Sequence, residues 1–85
     1  MHLIYNSEQY SVVEFSSDHD LHALRFGAYE IMDKPAQREA FIDGELAANF
    51  REHVRDLIAT ESSTEEIDEF LAGYDLLMTQ SLVFH

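Results

Sequence analysis

Asp18-His19-Asp20-Leu21-His22 places two imidazoles and two carboxylates within five residues, the nitrogen and oxygen donors that zinc, nickel and similar divalent ions accept. The spacing does not by itself specify a metal site. His-x-x-His in a polar loop lacks a scaffold to orient the rings, and no second ligand pair follows at a recognisable interval, so the plainer reading is a hydrated loop. Arg51 and Arg55 lie four apart and therefore share a helical face. With Arg38 they offer a cationic spot for a carboxylate or phosphate, gripped by the bidentate geometry of guanidinium. The competing reading pairs each arginine with a neighbouring acid, such as Glu52 with Arg55, for only ~0.2–1 kcal/mol per exposed pair.

A third constellation is acidic: Glu61, Glu65, Glu66, Asp68 and Glu69. It suits a docking face for a basic partner or a mimic of nucleic-acid charge. Acids in a first helical turn also favour the helix dipole, and solvent-facing acids keep a small protein soluble, which accounts for most of the run. His53, between Arg51 and Arg55, reads as a surface or edge histidine. His2 and His85 stand near the two ends and would meet if the terminal strands pair, where an imidazole titrating near 6.5 is able to switch an interface.

Catalysis finds little support. The chain has no cysteine, no Gly-x-Ser-x-Gly elbow and 3 glycines, too few to build a phosphate-cradling loop. Carboxylates are too abundant for any pair to be informative. No catalytic residue and no cofactor is expected.

The charge balance excludes further classes. Asp and Glu number 17 against 5 Lys and Arg, a formal net charge of -12 over 85 residues. Such a polyanion repels phosphate backbones and anionic membranes, so neither nucleic acid nor membrane is an expected partner. Nowhere does an apolar run approach the roughly 20 residues of a membrane span. The N-terminus has no basic region leading into a long apolar stretch, and zero cysteine fits a reducing compartment. The expectation is a soluble, cytoplasmic, single domain over residues 1–85 with a genuine core, since 46% of its residues are apolar.

The elements that must position these residues fall in two halves. Leu3, Ile4 and Tyr5, then Tyr10, Val12, Val13 and Phe15, surround Asn6-Ser7-Glu8-Gln9 and predict a β-hairpin with a four-residue loop. Val12 and Val13 are adjacent and point to opposite faces, so the strand is expected to be covered on both sides near its end. Residues 16–23 read as a connecting loop. Phe26 to Asp33 reads as a strand in which Gly27 marks a bulge or a close backbone approach. Lys34-Pro35-Ala36-Gln37 turns the chain into Arg38–Ile42, read as a second hairpin strand, with a helix begun at Pro35 as the alternative.

Asp43 is placed to cap a helix whose Leu46, Phe50, Val54, Leu57 and Ile58 keep a 3.6 period, ending near Thr60. Ser63 and Glu66 form an S-x-x-E capping box for a second helix, with Ile67, Phe70, Leu71, Tyr74, Leu77 and Met78 on one face. The apolar tail Ser81-Leu82-Val83-Phe84-His85 is expected to dock on the sheet or add an edge strand. The fold class is α+β: an antiparallel sheet of about four strands, two hairpins, with two amphipathic helices on one face.

Ile4-Tyr5-Asn6-Ser7, Val12-Val13-Glu14-Phe15, Tyr29-Glu30-Ile31-Met32-Asp33-Lys34, Phe41-Ile42-Asp43-Gly44 and the terminal Val83-Phe84-His85, in this order and length, resemble a family of short bacterial proteins of unknown function found mainly in β-proteobacteria. The resemblance spans essentially the whole chain. It implies a bacterial cytoplasmic domain without an established activity, and it carries no catalytic or binding residues.

The functional expectation is a small binding or adaptor module acting through protein–protein contact, as a homodimer formed through a sheet edge or face. Residues 1–42 carry seven acids and three bases, residues 43–85 ten acids and two bases, so a basic partner should meet the helices and self-association the sheet. Any of the ten aromatics (Phe 6, Tyr 4) found on the sheet face opposite the helices would mark an interface. The rival expectation is a ligand- or metal-binding protein, an enzyme included, built around His19 and His22 or around Arg38, Arg51 and Arg55.

Overall fold

A computed structural model describes residues 2–15 and 27–80. Five antiparallel strands follow one another across a single meander: β1 (His2–Asn6), β2 (Tyr10–Phe15), β3 (Ala28–Asp33), β4 (Arg38–Asp43) and β5 (Thr79–Gln80). Helices α1 (Gly44–Ala59) and α2 (Thr64–Ala72) come between β4 and β5. The α+β class is as expected, with four full strands and a two-residue fifth. β5 supplies an edge strand just before the apolar tail; the expectations for residues 16–23 and for Ser81–His85 themselves lie outside the described residues.

Strand alternation decides what each face carries. In-register pairing of Val12 with Ile31 and of Ile31 with Ala40 puts Tyr10, Val12, Tyr29, Ile31, Ala40 and Ile42 on one face, all buried. Ala47, Phe50 and Val54 of α1 and Leu71 of α2 close over them. Phe50 is the centre of this layer. Its ring lies 5.0 Å from Tyr29 of the sheet, 5.8 Å from Phe70 and 5.3 Å from Tyr74, so one side chain joins β3, α2 and the segment after α2.

Arg38–Asp43 is a strand, as preferred over a helix. Pro35 lies in a four-residue turn instead, closed by Gln37 at φ 57°. Asp33, the one charged side chain buried among the described residues, fixes that end of the sheet. Its Oδ2 accepts from Arg38 Nη2 at 2.9 Å and its Oδ1 from Gln9 Nε2 at 3.0 Å, tying β3, β4 and the first hairpin turn together. Gly27 produces no bulge in the β3 ladder; it precedes the strand at φ +86°, and the irregularity of the sheet lies in β1 between Leu3 and Tyr5.

Several local expectations need correction. Asp43 stands at the N-cap of α1 without a capping hydrogen bond, and Gly44 starts the helix at φ +64°. Leu46 and Ile58 are exposed, so the buried stripe of α1 is narrower than its apolar pattern. The capping box of α2 is present: Ser63 Oγ accepts from the Glu66 amide, and Glu66 Oε1 from the Ser63 amide. That helix stops at Ala72 rather than continuing to Met78. Asp75 accepts from Tyr10 Oη at 3.1 Å, and a 3-10 turn at Asp75–Leu77 swings Met78 inward and leaves Leu77 half-exposed. A continued helix would carry Thr79 away from β4. β1 and β5 lie on opposite edges of the sheet; the expected meeting of His2 with His85 lies outside the described residues.

Truncating the central ring should cost about 3–5 kcal/mol, a large share of the roughly 5–15 kcal/mol that holds a domain together. Phe50→Ala is therefore expected to unfold at far lower urea than the wild type, or to be unfolded outright, whereas Phe50→Leu retains a cooperative transition in circular dichroism. A cooperative Phe50→Ala transition within 1 kcal/mol (roughly) of wild type would show that the layer does not depend on this ring.

Candidate functional site

Where α1 crosses the sheet near its β1 edge, Arg51, Val54, Arg55 and Ile58 project at i, i+3, i+4 and i+7 over Ile4, Glu14 and Tyr29, and these residues enclose an open cleft of about 190 Å³. Val12 directs Glu14, two residues on, to the helix-facing side, and Ile31 does the same for Tyr29. Tyr29 Oη donates to Glu14 Oε2 at 2.7 Å. Burial, and then the bond to Glu14 with its negative charge, pushes the Tyr29 phenol up to about 12, although Arg51 and Arg55 act in the opposite direction. Tyr29 is therefore a proton donor throughout the physiological range and not a base. The arrangement holds two guanidinium groups, one carboxylate and one fixed phenol against apolar walls, which is equipment for binding an anion.

The structure splits the three arginines expected together. Arg51 and Arg55 line the cleft, whereas Arg38 sits at the opposite end of the β3–β4 ladder, paired with Asp33 and 3.8 Å from Asp75. The anticipated pairing of Arg55 with Glu52 is not formed; among the described residues the salt bridges all belong to Arg38. Of the acidic docking candidates, Glu66 is held by the capping box, and Asp68 accepts from Tyr5 Oη at 2.8 Å and Ser7 Oγ at 2.9 Å, pinning α2 to the first hairpin. Glu65 and Glu69 remain exposed. His53 is exposed, its Nδ1 3.0 Å from the Asn49 carbonyl and its ring beside Phe70. Asp18, His19, Asp20 and His22 lie outside the described residues, among which no group of three or more metal-ligating side chains occurs.

Among the described residues, no helix lies on the other face of the sheet. The register places Leu3, Val13, Glu30 and Phe41 in one row, Ser11, Met32 and Glu39 in the next, and Phe15 beyond them. Val13 is only half-buried, so the expected cover on both sides of β2 is complete on the helical side alone. Leu3 is 60% and Phe41 57% exposed, and Phe41 lies 5.8 Å from Phe15. Burial among these apolar neighbours, and then the adjacent Glu39 carboxylate, raise the Glu30 carboxyl above its ordinary value.

Tyr29, Glu14 and Glu30 are functional candidates that motif reasoning passed over. Their signal lay in strand alternation: Glu14 occupies the same face as Tyr10 and Val12, and an acid on a core face needs a partner.

The fold and these two surfaces define a small α+β protein with an arginine-lined cleft on one side of its sheet and, on the other, a face bearing the exposed Leu3 and Phe41. The family described as "Protein of unknown function (DUF3567)" matches residues 1–85, and the chain belongs to it. It is also 60% identical, over 100% of both chains, to "Protein BTH_I0359" of Burkholderia thailandensis. No solved structure matches.

Glu30 gives a test by pH. A carboxyl whose folded pKa lies above its unfolded value lends its full stability at low pH and loses it as pH rises through the folded value. Glu30→Gln removes that loss together with the repulsion from Glu39. At neutral pH and low micromolar concentration the variant should be more stable than wild type by about 0.2–1 kcal/mol, with the gain disappearing below the unfolded glutamate value. Urea melts at pH 7 and pH 3.5 measure both arms, and a variant less stable than wild type at pH 7 would show that Glu30 is held by favourable contacts.

Proposed function

We propose that this protein is a small cytoplasmic interaction module whose helix-free sheet face pairs with a second copy of the chain. The observation that carries this reading is the exposure of Leu3 and Phe41 beside Phe15, Val13 and Met32 on a face that no element of the described fold covers. Large side chains grouped on one surface are the mark of an association site.

Charge outside the face favours a second copy in this orientation, while Glu30 and Glu39 within it oppose tight pairing. The chain from Asp43 onward holds ten of the 17 acids and two of the five bases, and it builds the helical layer. Pairing face to face sends both acidic layers outward, whereas contact through the helices would press them together. It also leaves Glu65 and Glu69 turned to solvent, where a basic partner would dock. Strand spacing and rise give the face a footprint of roughly 450 Å², so two copies would bury on the order of 900 Å². That falls below the ~1,200–2,000 Å² of standard interfaces and implies reversible pairing rather than an obligate dimer.

Sedimentation equilibrium between micromolar and millimolar chain concentration should show a monomer–dimer exchange. Phe41→Glu should weaken it at least tenfold with the circular dichroism spectrum unchanged, and Leu3→Glu should act in the same direction. A pure monomer at millimolar concentration would overturn the proposal, as would a dimer indifferent to both substitutions.

A further inference from the structure

We infer that the cleft between α1 and strands β1–β3 is a binding site for a small monocarboxylate with an apolar body. Three observations converge on that chemistry. Arg51 and Arg55 line the cleft from successive turns of α1, which offers two guanidinium groups to one anion. Between and beyond them Val54 and Ile58, with Ile4 opposite, supply apolar walls that a bare inorganic ion would leave unused. Tyr29 Oη, committed to Glu14, holds that carboxylate against the sheet, so the floor of the cleft is rigid before a ligand arrives.

Charge selects the ligand class. Two guanidinium groups and the Glu14 carboxylate leave the lining one positive charge in excess, which a monoanion neutralises. Phosphate monoesters carry about -1.5 to -2 at pH 7 and would meet Glu14 with charge to spare. Size limits it as well. The cleft holds about 190 Å³, and the apolar hollow beside it, lined by Val12, Leu57, Ile67 and Leu71, offers only about 10 Å³, so the body of the ligand stays short. A short-chain or single-ring carboxylic acid satisfies both limits. The site lies on the helical side of the sheet and is independent of the face proposed for self-association.

The test is an amide and arginine Nε–H NMR titration of the full chain with hexanoate and benzoate, against hexanamide, benzamide and inorganic phosphate, in low-chloride buffer. Saturable shifts centred on Arg51, Arg55, Ile58 and Tyr29 are expected with the two acids. The neutral amides should bind at least tenfold more weakly. Arg51→Gln/Arg55→Gln should lose the carboxylate response by at least tenfold while its spectrum stays dispersed. Glu14→Gln gives a signature that loss of fold cannot imitate: removing the internal negative charge should tighten carboxylate binding severalfold and bring phosphate up towards it. No saturable shift with either acid at 10 mM, approximately the weakest useful affinity, would overturn the inference. So would equal binding of acids and amides, or a Glu14→Gln variant that binds carboxylate no better than wild type.

Discussion

Phe50 is the contact on which the molecule depends. The ring is fully buried, and the groups it meets come from elements far apart in sequence: Tyr29 on β3, Phe70 on α2 and Tyr74 just after it. A domain of 85 residues without cysteine has little else with which to hold two helices on a sheet. Aromatic side chains concentrate much buried area in few residues and retain directional preferences, so one ring in the middle of α1 is able to define how the helical layer seats. Tyr29 extends that constraint outward. Its ring packs on Phe50 and its hydroxyl holds Glu14, so the position of the carboxylate in the cleft is set by the core.

Polar contacts then fix the ends of the layers. Asp33 gathers Arg38 and Gln9 at one end of the sheet, Asp75 receives Tyr10, and Asp68 receives Tyr5 and Ser7. Three acids of a strongly acidic chain are thus hydrogen-bond acceptors joining separate elements. Their expense in desolvation is met because each receives donors, two of the three from tyrosine hydroxyls whose rings also line the core. Among the described residues, the acids left exposed are concentrated from Asp43 onward, in the helical layer.

What the sequence made legible follows from how local each signal is. The capping box at Ser63 and Glu66 is a four-residue pattern with a single mechanical meaning, and it occurs as read. The strand after Pro35 was legible because Phe41-Ile42-Asp43-Gly44 ends a strand and starts a helix. The end of α2 was not, because its apolar period runs on through Leu77; the helix gives way to Asp75 meeting Tyr10 and to β5 pairing with β4, contacts that no local window contains. The site divides in the same manner. Arg51 and Arg55 share a face by spacing alone, whereas Arg38 was grouped with them by residue type and belongs to Asp33. Glu14 and Tyr29 needed the register between β2 and β3 to come together.

Register accordingly constrains the character of both surfaces as well as the fold. Glu14 and Phe15 are neighbours in sequence, as are Tyr29 and Glu30, yet the pleat sends the first of each pair to the cleft and the second to the helix-free face. A slip of one residue in either strand would exchange them, setting Phe15 against the arginines and Glu14 among the exposed apolar side chains. The irregularity between Leu3 and Tyr5 works within this scheme: Leu3 pairs opposite Val13 on the helix-free face, while Tyr5, opposite Val12, reaches Asp68 on the helical side. Asp33 pins β3 to β4 and to the first hairpin turn at the far end. Two surfaces of opposite character can therefore share strands only six residues long, because the register that separates them is pinned at the Tyr10–Asp33 end and, towards the other, by the bond from Tyr29 to Glu14.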